Sequence, residues 1–148
     1  MGNGQSAGKD SFSVGWLTGI IDGEGWLILN RQLLSSKNYR YVPVIGMNTT
    51  SDKIADEFHR LLRVLNVGVW RGLRHFKNPK HKKQHQFNVR GFKRCLLLIE
   101  LIDGRLIEKQ TQLDLLKEYI MFRLSLPLKS PCGTLEDEYY QKLKGLNE

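Results

Sequence analysis

Cysteine is almost absent. Cys95 and Cys132 are the only two in 148 residues. They make no disulfide framework and no metal-binding spacing, so both are expected as free buried thiols in a reducing compartment. Long apolar runs are missing as well: the longest covers residues 95–99, far below the ~20 residues a membrane-spanning helix needs. No apolar signal segment follows the polar residues 1–10, so an intracellular rather than secreted protein is expected, with no membrane partner. His75, His81 and His85 stand without a cysteine at finger spacing and outside a helix, which speaks against structural zinc. What remains is ordinary globular composition, 41% hydrophobic and 26% charged, in a length that suits one domain with its own core.

Charge is unevenly placed. The chain carries 23 Lys and Arg against 15 Asp and Glu, a formal +8. Residues 31–94 hold 15 of the basic and only three of the acidic residues, a local excess of +12, whereas the segments on either side are each slightly acidic. A localised basic surface favours a polyanion, and counterion release from a nucleic acid would drive much of the binding.

Along the chain, residues 1–10 read as a Gly, Ser and Asn-rich leader, and Asp10 or Ser11 can cap a helix running to about Glu24. Residues 25–33 and 39–47 suit two strands joined at Ser35-Ser36-Lys37-Asn38, a hairpin. Thr50 or Ser51 opens a periodic helix in which Ile54, Phe58, Leu61, Leu62 and Leu65 form one apolar stripe. Residues 69–74 and 84–90 give two more strands around a basic loop. The last strand alternates cleanly, with His85, Phe87 and Val89 on one side and Gln84, Gln86, Asn88 and Arg90 on the other. A short apolar helix over residues 92–101 breaks at Asp103-Gly104, and residues 105–124 are expected to continue as a longer helix burying Leu106, Leu113, Leu116 and Ile120. Pro127 and Pro131 end that region, and Thr134 opens a last helix with Asp137 placed as in a capping box. The expected organisation is a core over residues 11–126 and a helical extension over 127–148. The class is α+β: an antiparallel sheet covered by helices on one face and open on the other.

Leu17-Thr18-Gly19-Ile20-Ile21-Asp22-Gly23-Glu24-Gly25 is the most informative stretch. Gly15, Gly19 and Gly23 recur every four residues and so share one helix face, although each costs roughly 1 kcal/mol against alanine. Small residues at this spacing let two helix backbones approach closely, so this face, with Trp16 and Ile20 beside it, is expected to pack against a second copy of the chain. Glu24 stands at the helix C-terminus, where carbonyls already present negative charge. Two such carboxylates meeting at a two-fold axis need a cation, and hard oxygen ligands suit Mg2+.

Residues 17–25 resemble the nine-residue signature of the LAGLIDADG homing endonucleases. Leu17, Gly19, Ile21, Asp22 and Gly25 match it, Ile20 replaces a leucine, Glu24 replaces the final aspartate by its homologue, and Thr18 and Gly23 depart at small positions. The element order αββαββα over residues 11–124 strengthens the likeness; beyond Pro127 it carries no motif. Residues 98–106 imitate the signature but lack its glycines and carry Arg105 where the acid belongs. One motif per chain then requires two chains.

The resemblance implies a homodimeric, site-specific DNA endonuclease that hydrolyses both strands of a long near-palindromic duplex. Mg2+ or Mn2+ would serve as cofactor, and Ca2+ would bind without supporting cleavage. Glu24 occupies the place of the metal-binding acid and the Gly23 carbonyl often joins it, whereas Asp22 caps neighbouring backbone. Lys109-Gln110 matches a pair found near the scissile phosphate in some single-motif relatives, where Lys109 would stabilise developing charge or position water. Polar side chains ending the second strand order the attacking water in the family, which points to Asn48, Thr49 and Thr50, with Thr50 equally able to cap the next helix. RNA-splicing maturases and DNA-binding regulators share this fold, so intron RNA is a second candidate partner.

In that family the sheet lies in the major groove, whose base edges are distinguishable. Alternation offers Ile28, Asn30 and Gln32 on the first strand, then Tyr41 and Pro43 on the second with Tyr39 and Arg40 at its tip. The third offers Arg71 and, after a bulge, Arg74; the fourth offers Gln86, Asn88 and Arg90. Asn and Gln suit adenine and Arg suits guanine, while Lys77, Lys80, Lys82 and Lys83 suit phosphates.

Overall fold

The computed structural model describes residues 10–35 and 37–148; residues 1–9 of the expected leader, and Ser36 of the expected turn, lie outside them. In chain order the elements are α1 (Ser11–Glu24), β1 (Gly25–Ser35), β2 (Asn38–Thr49), α2 (Asp52–Val64), β3 (Trp70–Arg74), β4 (Gln84–Arg90), α3 (Phe92–Ile102), α4 (Gln110–Leu124) and α5 (Thr134–Leu146). The strands form one antiparallel sheet in the order β1-β2-β4-β3, as the α+β reading expects. Among the described residues no helix is long and apolar enough to cross a membrane.

Helices cover one face of that sheet. The α2 stripe buries Phe58, Leu61, Leu62 and Leu65 against Phe87, and Leu113, Leu116 and Ile120 of α4 join the same core. Cys95 is buried there too, and burial pushes its thiol pKa up to about 12, which leaves it inert. Cys132 is half-buried and free.

Helix boundaries follow their caps. Asp10 accepts the Ser13 N–H at 2.7 Å and opens α1; Ser51, not Thr50, accepts the Ile54 N–H at 3.2 Å and opens α2. The long helix expected from residue 105 starts only at Gln110. Gly104 adopts φ +77°, a left-handed turn that glycine tolerates, and the N–H groups of residues 107–109 are drawn to another partner described below. At α5 the cap is Gly133 rather than Thr134, and it is Glu136, not Asp137, that accepts the cap N–H, at 2.8 Å.

Asp137 is instead directed at the sheet. It accepts from the Tyr41 hydroxyl at 2.8 Å, and the Arg31 guanidinium lies over the Tyr39 and Tyr140 rings at 4.9 and 4.8 Å. Burial, with the Asp137 carboxylate beside it, pushes the Tyr41 pKa up to about 12. Asn147 donates to the Leu27 carbonyl at 2.9 Å, occupying an acceptor on the edge strand β1, and Leu143 enters the common core.

Arg123 and Glu136 tie α4 to α5 at 2.9 Å, both largely buried. Burial alone would raise the Glu136 pKa, but the Gly133 N–H and the Arg123 guanidinium outweigh it and hold the carboxyl below its ordinary value of 4.5. Its stabilising contribution is therefore complete above that value and is lost as pH falls through the lowered one. Arg123→Met leaves a buried charge without its partner and should lower the unfolding free energy by about 3–5 kcal/mol at neutral pH. Urea denaturation should show that deficit shrinking in acid, where Glu136 protonates; an equal deficit at both ends of the pH range contradicts this reading.

Candidate nucleic-acid interface and active centre

α1 passes into β1 without a loop. A Cβ on Gly25 would lie 2.7 Å from the Ile21 carbonyl oxygen and 2.9 Å from that of Gly46, so only glycine permits the helix end to sit this close to β2. The Asp22 carboxylate then accepts the backbone N–H groups of Ile107, Glu108 and Lys109 at 3.0, 2.9 and 3.0 Å. Lys109 returns the contact, its ammonium donating to the Asp22 carbonyl. Asp22 thus caps backbone, the part the resemblance assigns to it.

Gly23 and Glu24 come next and are exposed. The Glu24 carboxylate and the terminal carbonyls of α1 are hard oxygen donors gathered where the helix dipole is negative. Among the described residues there is no group of three or more His, Cys, Asp or Glu side chains able to hold a metal ion. Gln110 is committed elsewhere. Its carbonyl accepts the Leu106 N–H at 3.2 Å and its amide donates to Asp103 and Asp114 at 3.1 and 2.8 Å. It holds the 103–109 turn.

Among the described residues nothing covers the glycine face of α1. A Cβ on Gly15, Gly19 or Gly23 would meet nothing within 4 Å, while the opposite side of the helix buries Val14, Leu17, Thr18 and Ile21. Trp16 and Ile20 flank the bare face and lean partly onto the core. Phe12 and Ile107 are exposed by 81% and 87%, Ile107 being anchored through its N–H on Asp22.

Strand register fixes what the open face presents, because directly paired residues point to the same side. From the hairpin tip toward the Glu24 end, the rows are Gln32–Arg40, Asn30–Val42, Ile28–Val44–Arg90, Trp26–Gly46–Asn88–Trp70, Asn48–Gln86–Gly72 and Gln84–Arg74. Ile28, Asn30, Gln32, Arg40, Gln86, Asn88 and Arg90 all lie on this face. So does Arg74, by plain alternation and without a bulge. Arg40 donates to Gln32 at 3.1 Å. Asn48 ends β2 on this face, beside the Gly25–Met47 pair that carries the end of α1; its amide donates to Gln84 at 3.4 Å, and its buried carbonyl oxygen has no hydrogen-bond partner among the described residues.

Tyr41 and Arg71 lie on the other face, as do Tyr39 and Pro43. Tyr41 is 3% exposed and held by Asp137. Arg71 lies under α2, donating to Asp56 at 2.8 Å and sitting 5.3 Å from the centroid of the Phe87 ring. It also contacts the Nδ1 atoms of His59 and His85 at 3.3 and 3.4 Å, and His85 Nε2 meets Asp52 at 2.6 Å. Arginine only donates, so both Nδ1 atoms accept, and burial together with the neighbouring Arg71 and Arg63 holds the His59 pKa below its ordinary value. Arg71 and Arg74 are three apart and cannot share a face of a regular strand; the register gives the open one to Arg74. Lys82 and Lys83 belong to the exposed loop leading into β4, with Lys83 3.8 Å from Asp52. Thr50 is exposed beyond the end of β2, and Thr49 accepts the Ser51 N–H at 3.1 Å.

Trp26 and Trp70 are open-face residues to which the sequence reading gave no place, and Asn48, expected only at the end of the second strand, joins them there. The signal was present for Trp26, which shares the parity of Ile28 and Asn30.

No family model and no curated protein matches the sequence. Solved structures do match its fold. The LAGLIDADG homing endonuclease I-SmaMI, bound to cleaved DNA, superimposes with a TM-score of 0.62 at 14% identity over 88% of this chain and 42% of its own. The archaeal intron-encoded homing endonuclease I-Vdi141I, complexed with DNA, gives 0.56 at 13% identity over 92% of this chain and 97% of its own. The homing endonuclease I-CvuI gives 0.54 at 15% over 93% and 96%. The chain spans less than half of the first and nearly all of the other two. The chain has the LAGLIDADG homing-endonuclease fold.

Asp22→Ala removes the acceptor of three backbone N–H groups at once. Thermal and urea denaturation should show a loss of about 2–4 kcal/mol, with hydrogen exchange accelerated at residues 107–109. Unchanged exchange there contradicts the pinning of this turn by Asp22.

Proposed function

We propose that the protein is a site-specific DNA homing endonuclease that acts as a homodimer and hydrolyses both strands of a near-palindromic duplex with the help of a divalent metal ion. One observation carries this reading: the bare glycine face of α1 ends in an exposed carboxylate at the edge of an open, hydrogen-bonding sheet face. Two chains meeting through Gly15, Gly19 and Gly23, flanked by Trp16 and Ile20, would bring two Glu24 carboxylates together and align two open faces along one duplex. The similar structures solved with DNA support a DNA partner over the intron RNA also considered from sequence. Structures of I-CvuI in the presence of Mg and of Ca support a divalent ion.

The donor set fits half of such a site. Glu24, with the Gly23 carbonyl beside it, would hold Mg2+ or Mn2+, and the remaining positions would fall to phosphate oxygens, water and the partner chain. When bound, the ion supplies an activated water and neutralises charge on the leaving oxygen. Lys109 binds the Asp22 carbonyl with one N–H, and its ammonium has further donors free for a phosphate oxygen. The unpartnered Asn48 carbonyl oxygen, on the same end of the sheet, would accept from an attacking water, with the exposed Thr50 as the alternative. Gln32, Asn30, Arg40, Gln86, Asn88, Arg90 and Arg74 would face base edges, with Lys82 and Lys83 on the phosphates.

Glu24→Gln should lower the cleavage rate by at least about a hundredfold while leaving duplex affinity within a factor of a few, as read by nicking and gel-shift assays on the same target; cleavage at the native rate contradicts the assignment. Asn48→Ala should slow cleavage roughly ten- to a hundredfold, whereas Thr50→Ala should leave the rate unchanged. The reverse pattern would return the water-ordering part to Thr50.

A further inference from the structure

The row just inside the Glu24 end of the open face takes one residue from each strand: Trp26, Gly46, Asn88 and Trp70. Hydrogen-bond readout by the Asn, Gln and Arg side chains leaves the two indoles without a part. Each is laid down over a glycine. A Cβ on Gly46 would overlap Cε2 and Cζ2 of Trp26, and one on Gly72 would overlap Cη2 and Cζ2 of Trp70. The two glycines therefore keep the rings low on the sheet. Trp70 is still 53% exposed, and Trp26 is half-buried. Beside this row, the sheet floor is Ile28 and the buried Val42 and Val44, so an apolar band crosses a face otherwise set with polar side chains.

The major groove offers one apolar feature, the C5-methyl group of thymine, and a rigid indole presents apolar surface at little entropic cost. We propose that Trp26 and Trp70 are specificity-determining residues that select thymine by burying its 5-methyl group at inner base pairs of each half of the duplex site. This rests on the endonuclease reading above.

Selection of a randomised duplex library on the full chain defines the preferred site directly. Thymine should be enriched at inner positions of both halves, and replacing those thymidines by deoxyuridine should weaken binding about fourfold per methyl group. Trp70→Ala, a change at an exposed side chain, should abolish the thymine-over-uracil preference at one position per half and leave the other base preferences intact. Trp26→Ala should do so at another. Should Trp26→Ala melt far below the native protein, the deoxyuridine comparison on the unaltered chain still decides. A defined selected site bound equally well with thymine or uracil overturns this proposal alone. Failure to select any preferred duplex overturns the endonuclease reading, and this inference with it.

Discussion

The last turn of α1 is pinned from two sides. Gly25 brings it against β2 at a separation no side chain would allow, and Asp22 gathers three N–H groups from the 107–109 segment, 85 and more residues away along the chain. Between these two anchors Glu24 has little freedom in its backbone, although its carboxylate is exposed. A metal-assisted hydrolytic centre needs its acid held in that way, since small displacements of a ligand cost large factors in rate. The same anchoring leaves the glycine face of α1 clear, because every bulky residue of the helix that can reach the core is turned toward it. Position of the acid and clearance of the glycine face are thus two results of one arrangement.

Charge is sorted by the sheet. Acids of the helix layer are largely spent on local partners: Asp137 on Arg31 and Tyr41, Asp56 on Arg71, Asp52 on His85, Glu136 on Arg123, Asp103 on Lys117. The open face carries Arg40, Arg74 and Arg90 with no acidic residue among its paired rows. These three guanidinium groups, drawn from the basic stretch over residues 31–94, leave the open face positive, which favours a polyanion. Its amides and guanidinium groups supply the donors and acceptors that base edges can distinguish.

Much of this was legible in the sequence, and the exceptions have physical causes. The signature over residues 17–25, the element order and the strict alternation of β4 led to the observed fold, because each is a local pattern. The parity of β2 was not readable: Tyr41, Val42, Pro43, Val44 and Ile45 are all buried, and a strand apolar on both sides has no alternation to follow. Only pairing with β1 and β4 decides which of its residues face outward, and it turns Tyr41 inward. Arg71 was misplaced because two arginines three apart on β3 compete for one face. The late start of α4 depends on Asp22, a tertiary contact that no window around residue 105 contains. Gln110 keeps its place beside Lys109 in the chain, yet its amide serves the turn before it.

In the proposed dimer one chain carries half of an active centre, and the glycine face of α1 completes it by meeting its own copy. Sedimentation equilibrium on the native protein and on Gly19→Leu decides this, since position 19 has open space among the described residues and the substitution leaves the core untouched. The native protein should sediment at twice its 17.1 kDa chain mass. The variant should sediment as a monomer with unchanged circular dichroism and no cleavage activity. A native protein that stays monomeric at high concentration with duplex DNA present would contradict the account, and so would a dimer that survives Gly19→Leu.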